Sequence, residues 1–193
     1  MAVGKPAFFN KLNNTLIKFI EKQPVFFVAT AGAEGRVNLS PKGMDTLRVI
    51  DNSRIAWLNL SGSGNETAAH VLETQRMTLM FCAFEGDAMI LRTYGMAEMI
   101  YPHHNTWDDA IAQFPTTGGS RQIFNLNIDM VQTSCGSGVP FMDFVKSRGD
   151  EELAPYFDEI GAEGREKFWR KKNVTSIDGK PTGIFPTDKV ADD

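Results

Sequence analysis

The chain has 193 residues, 42% of them apolar and 23% charged, which is ordinary globular composition and argues against wholesale disorder. A net charge of −4 and a pI near 5.4 leave no global basic field to attract nucleic acid or an anionic membrane, and no run of about 20 apolar residues is present for a membrane helix. Two distant cysteines, Cys82 and Cys135, form no disulfide framework or metal-type spacing, so a reducing, cytoplasmic setting is expected.

In chain order, Leu12 to Lys22 carries apolar residues on one side, with Asn13 or Asn14 as cap, and predicts a short amphipathic helix ending before Pro24. Val25–Thr30 and Arg36–Ser40 flank a Gly-rich turn and predict a hairpin, punctuated by Pro41-Lys42-Gly43. Thr46–Ile50 and Arg54–Leu60 predict a second hairpin. A small-residue loop, Ser61 to Gly64, leads into a short helix over Asn65–Glu73. Met77–Phe84 and Ala88–Tyr101 predict two more strands, and Gly95 suggests a bulge or close backbone approach. A helix over His103–Phe114 is expected next, then a strand over Arg121–Ile128 with Met130–Cys135 as its continuation or neighbour. Helices are expected over Phe141–Arg148, Glu151–Ile160 and Ala162–Lys172, then a turn-rich stretch over Thr175–Pro181 and a loose acidic tail from Pro186. Hairpins without crossover helices favour an antiparallel barrel over a parallel α/β sheet. No composition break divides the chain, so residues 1–193 read as a single domain.

Two polar clusters interrupt the apolar texture. Alternation puts Arg36, Asn38 and Ser40 on one face of their strand, with Val37 and Leu39 on the other. That face suits a polar ligand; periodicity alone suits a solvent-facing strand side ending in a turn better. The second cluster, Asn59 to Thr67, runs from a strand through a Gly/Ser loop into a helix, where free N–H groups and the helix dipole can cradle a phosphate. A simple N-cap by Ser63 or Asn65 explains the same pattern. Cys135-Gly136-Ser137-Gly138 reads as a buried structural cysteine followed by a sharp exit. His70 sits alone, His103 and His104 would point apart, and no convergent ligand set for a metal is visible. Trp169-Arg170-Lys171-Lys172 reads as a solvated face that complements a helix dipole.

In their order these segments resemble the FMN-binding split-barrel family, also called pyridoxamine 5'-phosphate oxidase-like. The resemblance rests on Phe26–Thr30, Arg36–Gly43, Trp57–Thr67, Arg76–Phe81 and Leu91–Glu98, and it covers about residues 15 to 145, with Cys135–Pro140 resembling the marker of one branch. It implies a six-stranded antiparallel split β-barrel core over 15–145, a helical C-terminal extension over 141–185, and a homodimer with FMN at the subunit interface. It further implies Arg36, Asn38, Ser40 and Lys42 as second-strand contacts to the cofactor. Asn59, Ser61, Gly62, Ser63, Asn65, Glu66 and Thr67 would line its phosphate end. Glu66 would repel a phosphate unless its carboxylate caps the helix backbone or meets a basic side chain. On this resemblance the chain is expected to be an FMN-dependent oxidoreductase of unknown substrate and electron donor. The competing expectations are a non-catalytic or stress-response module holding FMN, haem or deazaflavin, and an empty scaffold acting through its dimer surface.

Overall fold

The computed structural model describes residues 6–115 and 118–186. Among the described residues, eight antiparallel strands form one curled sheet: β1 (Ala7–Phe9), β2 (Phe26–Thr30), β3 (Asn38–Lys42), β4 (Leu47–Asp51), β5 (Arg54–Leu60), β6 (Arg76–Cys82), β7 (Ile90–Ile100) and β8 (Ser120–Ser134). The order is β3-β2-β6-β7-β8-β5-β4, so the successive strands β3 and β4 are the two edges, and the opening between them is the split of the barrel. The architecture is the expected mainly-β, antiparallel class with C-terminal helices, but it has eight strands where six were expected. The two stretches at 121–135 are one long strand. Its N-terminal half pairs with β5 and its C-terminal half with the three-residue β1, too short to signal itself in the sequence.

Alternating burial builds the core. Val28, Leu79, Leu91, Phe124, Leu126 and Val131 point inward from β2, β6, β7 and β8. Trp57 stacks on Phe124 with ring centroids 4.6 Å apart and meets Phe26 edge-on. Helix α1 (Asn14–Glu21) adds Leu16 and Ile20 to this core, and its N-cap Asn13 accepts from the Leu16 N–H. Helix α2 (Glu66–Thr74) contributes Ala68 and Val71. Strand β5 is apolar on both faces: Ile55 and Trp57 enter the main core, while Ala56 and Leu58 pack with Phe114 and Ile123 in a second cluster. The expected bulge at Gly95 is present, since the β7–β8 register shifts between Tyr94 and Gly95. A Cβ on Gly95 would lie 1.9 Å from the Asn127 carbonyl oxygen, so only glycine allows the two backbones this close.

The helical expectations hold less well. Between Tyr101 and Phe114 only α3 (Trp107–Ile111) is helical. The Tyr101 N–H donates to His104 Nδ1 and the His104 N–H returns to the Tyr101 carbonyl, which closes a turn instead. Residues 141–148 are irregular, not helical. Phe141, Phe144 and Val145 are exposed there, so eight residues without a core to pack against have nothing to offset helix nucleation. A π-helical turn (Gly149–Leu153) then leads into α4 (Ala154–Lys172), which joins the last two expected helices across a kink at Gly161, where φ is +63°. Residues beyond α4 form a turn closed by a bridge between Thr175 and Pro181. The expected acidic tail, from 187 onward, lies outside the described residues.

Candidate functional site

Among the described residues strand β3 pairs only with β2, and its two faces are reversed relative to the usual rule. Val37 and Leu39 are 74% and 63% exposed, whereas the side chains of Asn38, Ser40 and Lys42 are half-buried on the opposite face. The solvent-facing reading of that polar side is therefore overturned: β3 is an edge strand whose polar face turns inward, toward α2 and β5.

Each residue of this strip has a different environment. Asn38 Nδ2 donates to Thr67 Oγ1 of α2 at 3.0 Å and to Thr30 Oγ1 of β2 at 3.3 Å. The Ser40 hydroxyl is buried and has no hydrogen-bond partner. Lys42 Nζ donates to Asn59 Oδ1 at 3.1 Å and sits 5.4 Å from the centre of the Trp57 ring. Desolvation, reinforced by the nearby Arg121 cation and offset in part by Glu66, lowers the Lys42 pKa from 10.5 to about 8. A pocket of about 210 Å³ opens beside Lys42 and is lined by Asn59, Ser61, Gly62, Thr46 and Leu153. Arg36 lies apart from this strip. Its side chain is exposed, and its backbone N–H and guanidinium both engage the Asp178 carboxylate in the C-terminal turn.

The β5–α2 loop is tied down by residues the sequence did not single out. Arg121, at the start of β8, is 2% exposed, and burial lowers its pKa to about 10. It donates to the carbonyls of Gly62 and Gly64 and to Gln122 Oε1. Asn65 occupies the N-cap position of α2 without making a side-chain cap; its amide instead accepts from Gln122 Nε2 and donates to the Asn173 carbonyl. Asn65 as a simple N-cap is thus overturned, and the first turn of α2 keeps N–H groups that this side chain does not consume. Asn173 Nδ2 donates to the Gly62 carbonyl, and Trp169 Nε1 donates to Ser61 Oγ at 2.8 Å. Trp169 is buried, so it belongs to the interior rather than to a solvated basic face; Arg170 remains outside, over the Phe185 ring. The Glu66 carboxylate accepts the Ile177 N–H, a backbone donor of the C-terminal turn and not of the helix it opens. Ser63 is exposed at the loop tip, while Asn59 and Thr67 are buried.

Nothing in the sequence pattern distinguished Arg121 and Gln122 from an ordinary strand start, and Trp169 and Asn173 lie more than 100 residues from the loop they bind. His70 is also more than a lone helix residue: it is 1% exposed, and its Nδ1 lies 3.1 Å from Thr30 Oγ1. Cys135 contradicts the buried reading. It is partly exposed just past the end of β8, and hydrogen bonds with the Ser137 hydroxyl and from the Ser137 N–H lower its pKa. Among the described residues no group of three His, Cys, Asp or Glu converges as a metal site, and no helix is long and apolar enough to cross a membrane.

Residues 12–135 match the sequence profile of the pyridoxamine 5'-phosphate oxidase family. The chain is 33% identical, over 91% of its length and 77% of the relative's, to the pyridoxamine 5'-phosphate oxidase family protein ustO of Aspergillus flavus. Among solved structures it is similar to a candidate pyridoxamine 5'-phosphate oxidase of Lactobacillus delbrueckii. That likeness has a TM-score of 0.52 and 21% identity, over 64% of this chain and 94% of the other. HupZ of Group A Streptococcus is similar with a TM-score of 0.50 and 17% identity, over 62% and 91% of the two chains. At such identities the structural likeness bears on the fold alone.

Proposed function

The chain belongs to the pyridoxamine 5'-phosphate oxidase family, and from that membership we propose that it binds a flavin nucleotide, FMN, along the polar face of β3. The observation that carries this reading is the buried, unpartnered Ser40 hydroxyl between Asn38 and the desolvated Lys42. An orphaned hydroxyl and a half-buried cation without a carboxylate at bonding distance each cost free energy unless a ligand meets them. A polar ring edge along Asn38 and Ser40, with an anionic group toward Lys42, satisfies both. The uncapped first turn of α2, flanked by Ser61, Gly62, Ser63, Asn65, Glu66 and Thr67, suits the phosphate end. The residues present therefore fit a flavin nucleotide. Bound there, the flavin supplies two-electron redox chemistry; the protein binds it, orients its ring and shields it.

The same reading includes a homodimer. The pocket beside Lys42, about 210 Å³, is below the usual range of about 300–1,000 Å³ for small-molecule sites, so one chain provides only part of the enclosure. Exposed Leu39 on the outer side of the same edge strand, with Val37 just before it, gives a second copy an apolar surface beside the groove.

The deciding experiment is the visible absorption spectrum of the freshly purified protein, with any released cofactor identified by mass. A flavin spectrum and the mass of FMN are expected. A colourless protein that ignores added FMN, or one that carries haem, ends this assignment.

A further inference from the structure

A buried relay lies behind the β3 strip. His70 Nδ1 is 3.1 Å from Thr30 Oγ1, the same hydroxyl oxygen accepts from Asn38 Nδ2 at 3.3 Å, and Asn38 Nδ2 also donates to Thr67 Oγ1 at 3.0 Å. His70, Thr30 and Thr67 are all buried, so these groups exchange hydrogen bonds with one another rather than with bulk water. Counting hydrogens admits two arrangements, because the Thr30 oxygen can accept twice. In the arrangement that gives every group a complementary partner, Thr30 accepts from Asn38 and donates its single proton to Nδ1, and His70 carries its hydrogen on Nε2. With both amide hydrogens of Asn38 directed toward the two threonines, the amide oxygen is left on the other side of the planar group.

We infer that His70 is a positioning residue which, through Thr30, fixes the Asn38 amide with its nitrogen inward and its carbonyl oxygen available to a ligand, so that this end of the groove selects an N–H donor. The inference rests on the proposed flavin reading only for the identity of that ligand; the imide edge of an isoalloxazine supplies an N–H of the required kind. If His70 carried its hydrogen on Nδ1, the Thr30 hydroxyl would be free to donate to a turned-over Asn38 amide, and the groove would then meet an NH2 group instead. On this inference one imidazole tautomer, remote from solvent, biases the polarity that the strip presents.

Three measurements on the full chain test this. The first is a long-range 1H–15N spectrum of the histidine rings in the unmodified protein. A bare Nδ1 and a protonated Nε2 are expected for His70, and a protonated Nδ1 overturns the inference without requiring any variant to fold. The second follows the Asn38 side-chain NH2 signals in Thr30→Val and Thr30→Ser. Slow hydrogen exchange in the unmodified protein and in Thr30→Ser, with its loss in Thr30→Val, supports the relay; unchanged exchange in Thr30→Val refutes it. The third is FMN titration followed by the visible spectrum. Thr30→Val is expected to weaken binding about tenfold and to shift the bound flavin spectrum, with Thr30→Ser close to the unmodified protein, because one ligand hydrogen bond is at stake. FMN binding with unaltered affinity and spectrum in Thr30→Val removes His70 from ligand positioning while leaving the flavin reading intact. The expected tautomer and exchange pattern in a protein that takes up no FMN supports the relay and removes the flavin.

Discussion

The two polar clusters of this chain have the same kind of composition and opposite fates. In the β5–α2 loop, the Gly62 and Gly64 carbonyls, the Ser61 hydroxyl and the Asn65 amide are all engaged by Arg121, Gln122, Trp169 and Asn173. On β3, the Ser40 hydroxyl has no partner and the Lys42 ammonium meets a neutral amide oxygen. The loop has its polar groups satisfied from within; the strip leaves some for something else. Small polar residues in a sequence do not announce which of these two uses they serve. The difference lies in whether the remainder of the chain returns to cover them.

The comparison breaks if loop variants spare stability or strip variants destroy it. The largest effect is expected for Arg121→Ala, which strips donors from two loop carbonyls in a buried setting. Urea denaturation should show a loss of about 3 kcal/mol, and a loss below about 1 kcal/mol would mean that Arg121 is not the loop's anchor. Trp169→Phe removes the donor to Ser61 and part of a buried ring; about 1–2 kcal/mol should disappear from the same measurement. Lys42→Met should behave differently. Replacing a desolvated cation with an apolar chain of similar length should leave unfolding stability equal or higher, while FMN affinity falls about tenfold.

Proton titration sharpens the contrast further. Below about 8, Lys42 is protonated in the folded and unfolded chains alike, and the penalty on its buried charge is constant. Between about 8 and 10.5 the unfolded chain holds a proton the folded chain has released, so this group's contribution makes stability climb with pH across that window. Affinity for FMN should move the other way, falling as Lys42 loses its charge, and a flat affinity profile from pH 7 to 9.5 would separate Lys42 from the anion. The smallest effect is expected for Ser40→Ala. Removing an unpartnered hydroxyl should leave stability within about 0.5 kcal/mol of the unmodified protein, with FMN binding weakened a few-fold. A clear stability loss would mean that Ser40 bonds within the protein after all.

Strand periodicity read the barrel well because buried β-strands write their environment into every second residue. The pairs Phe26/Val28 and Leu79/Phe81 are inward on that basis, and Gly95 sits where only glycine fits. The same rule separated the two faces of β3 but left open which one is buried, since edge strands near a groove can turn their polar side in and their apolar side out. Helical composition failed over residues 141–148, where helix-compatible residues have no core to dock on. The contributors to the candidate site that went unseen, Arg121, Trp169, Asn173 and the Thr30–His70 pair, act through contacts between distant parts of the chain. No local window contains both ends of such a contact, and an arginine that opens a strand looks the same whether it faces water or a loop carbonyl.

The C-terminal turn has a consequence in time as well as in space. Trp169, Asn173, Ile177, Asp178 and Lys180 tie down Ser61, Gly62, Glu66, Arg36 and Glu73, each across more than 100 residues of chain. A chain emerging from the ribosome can pair all eight strands once β8 is free, and Arg121 and Gln122 then already hold the β5–α2 loop, yet the ties from Trp169, Asn173 and Ile177 form only when those residues have followed. The barrel is then an early product of synthesis and the fully tied phosphate end of the groove a late one, so nascent chains stalled before that point should hold the fold while holding the ligand less tightly.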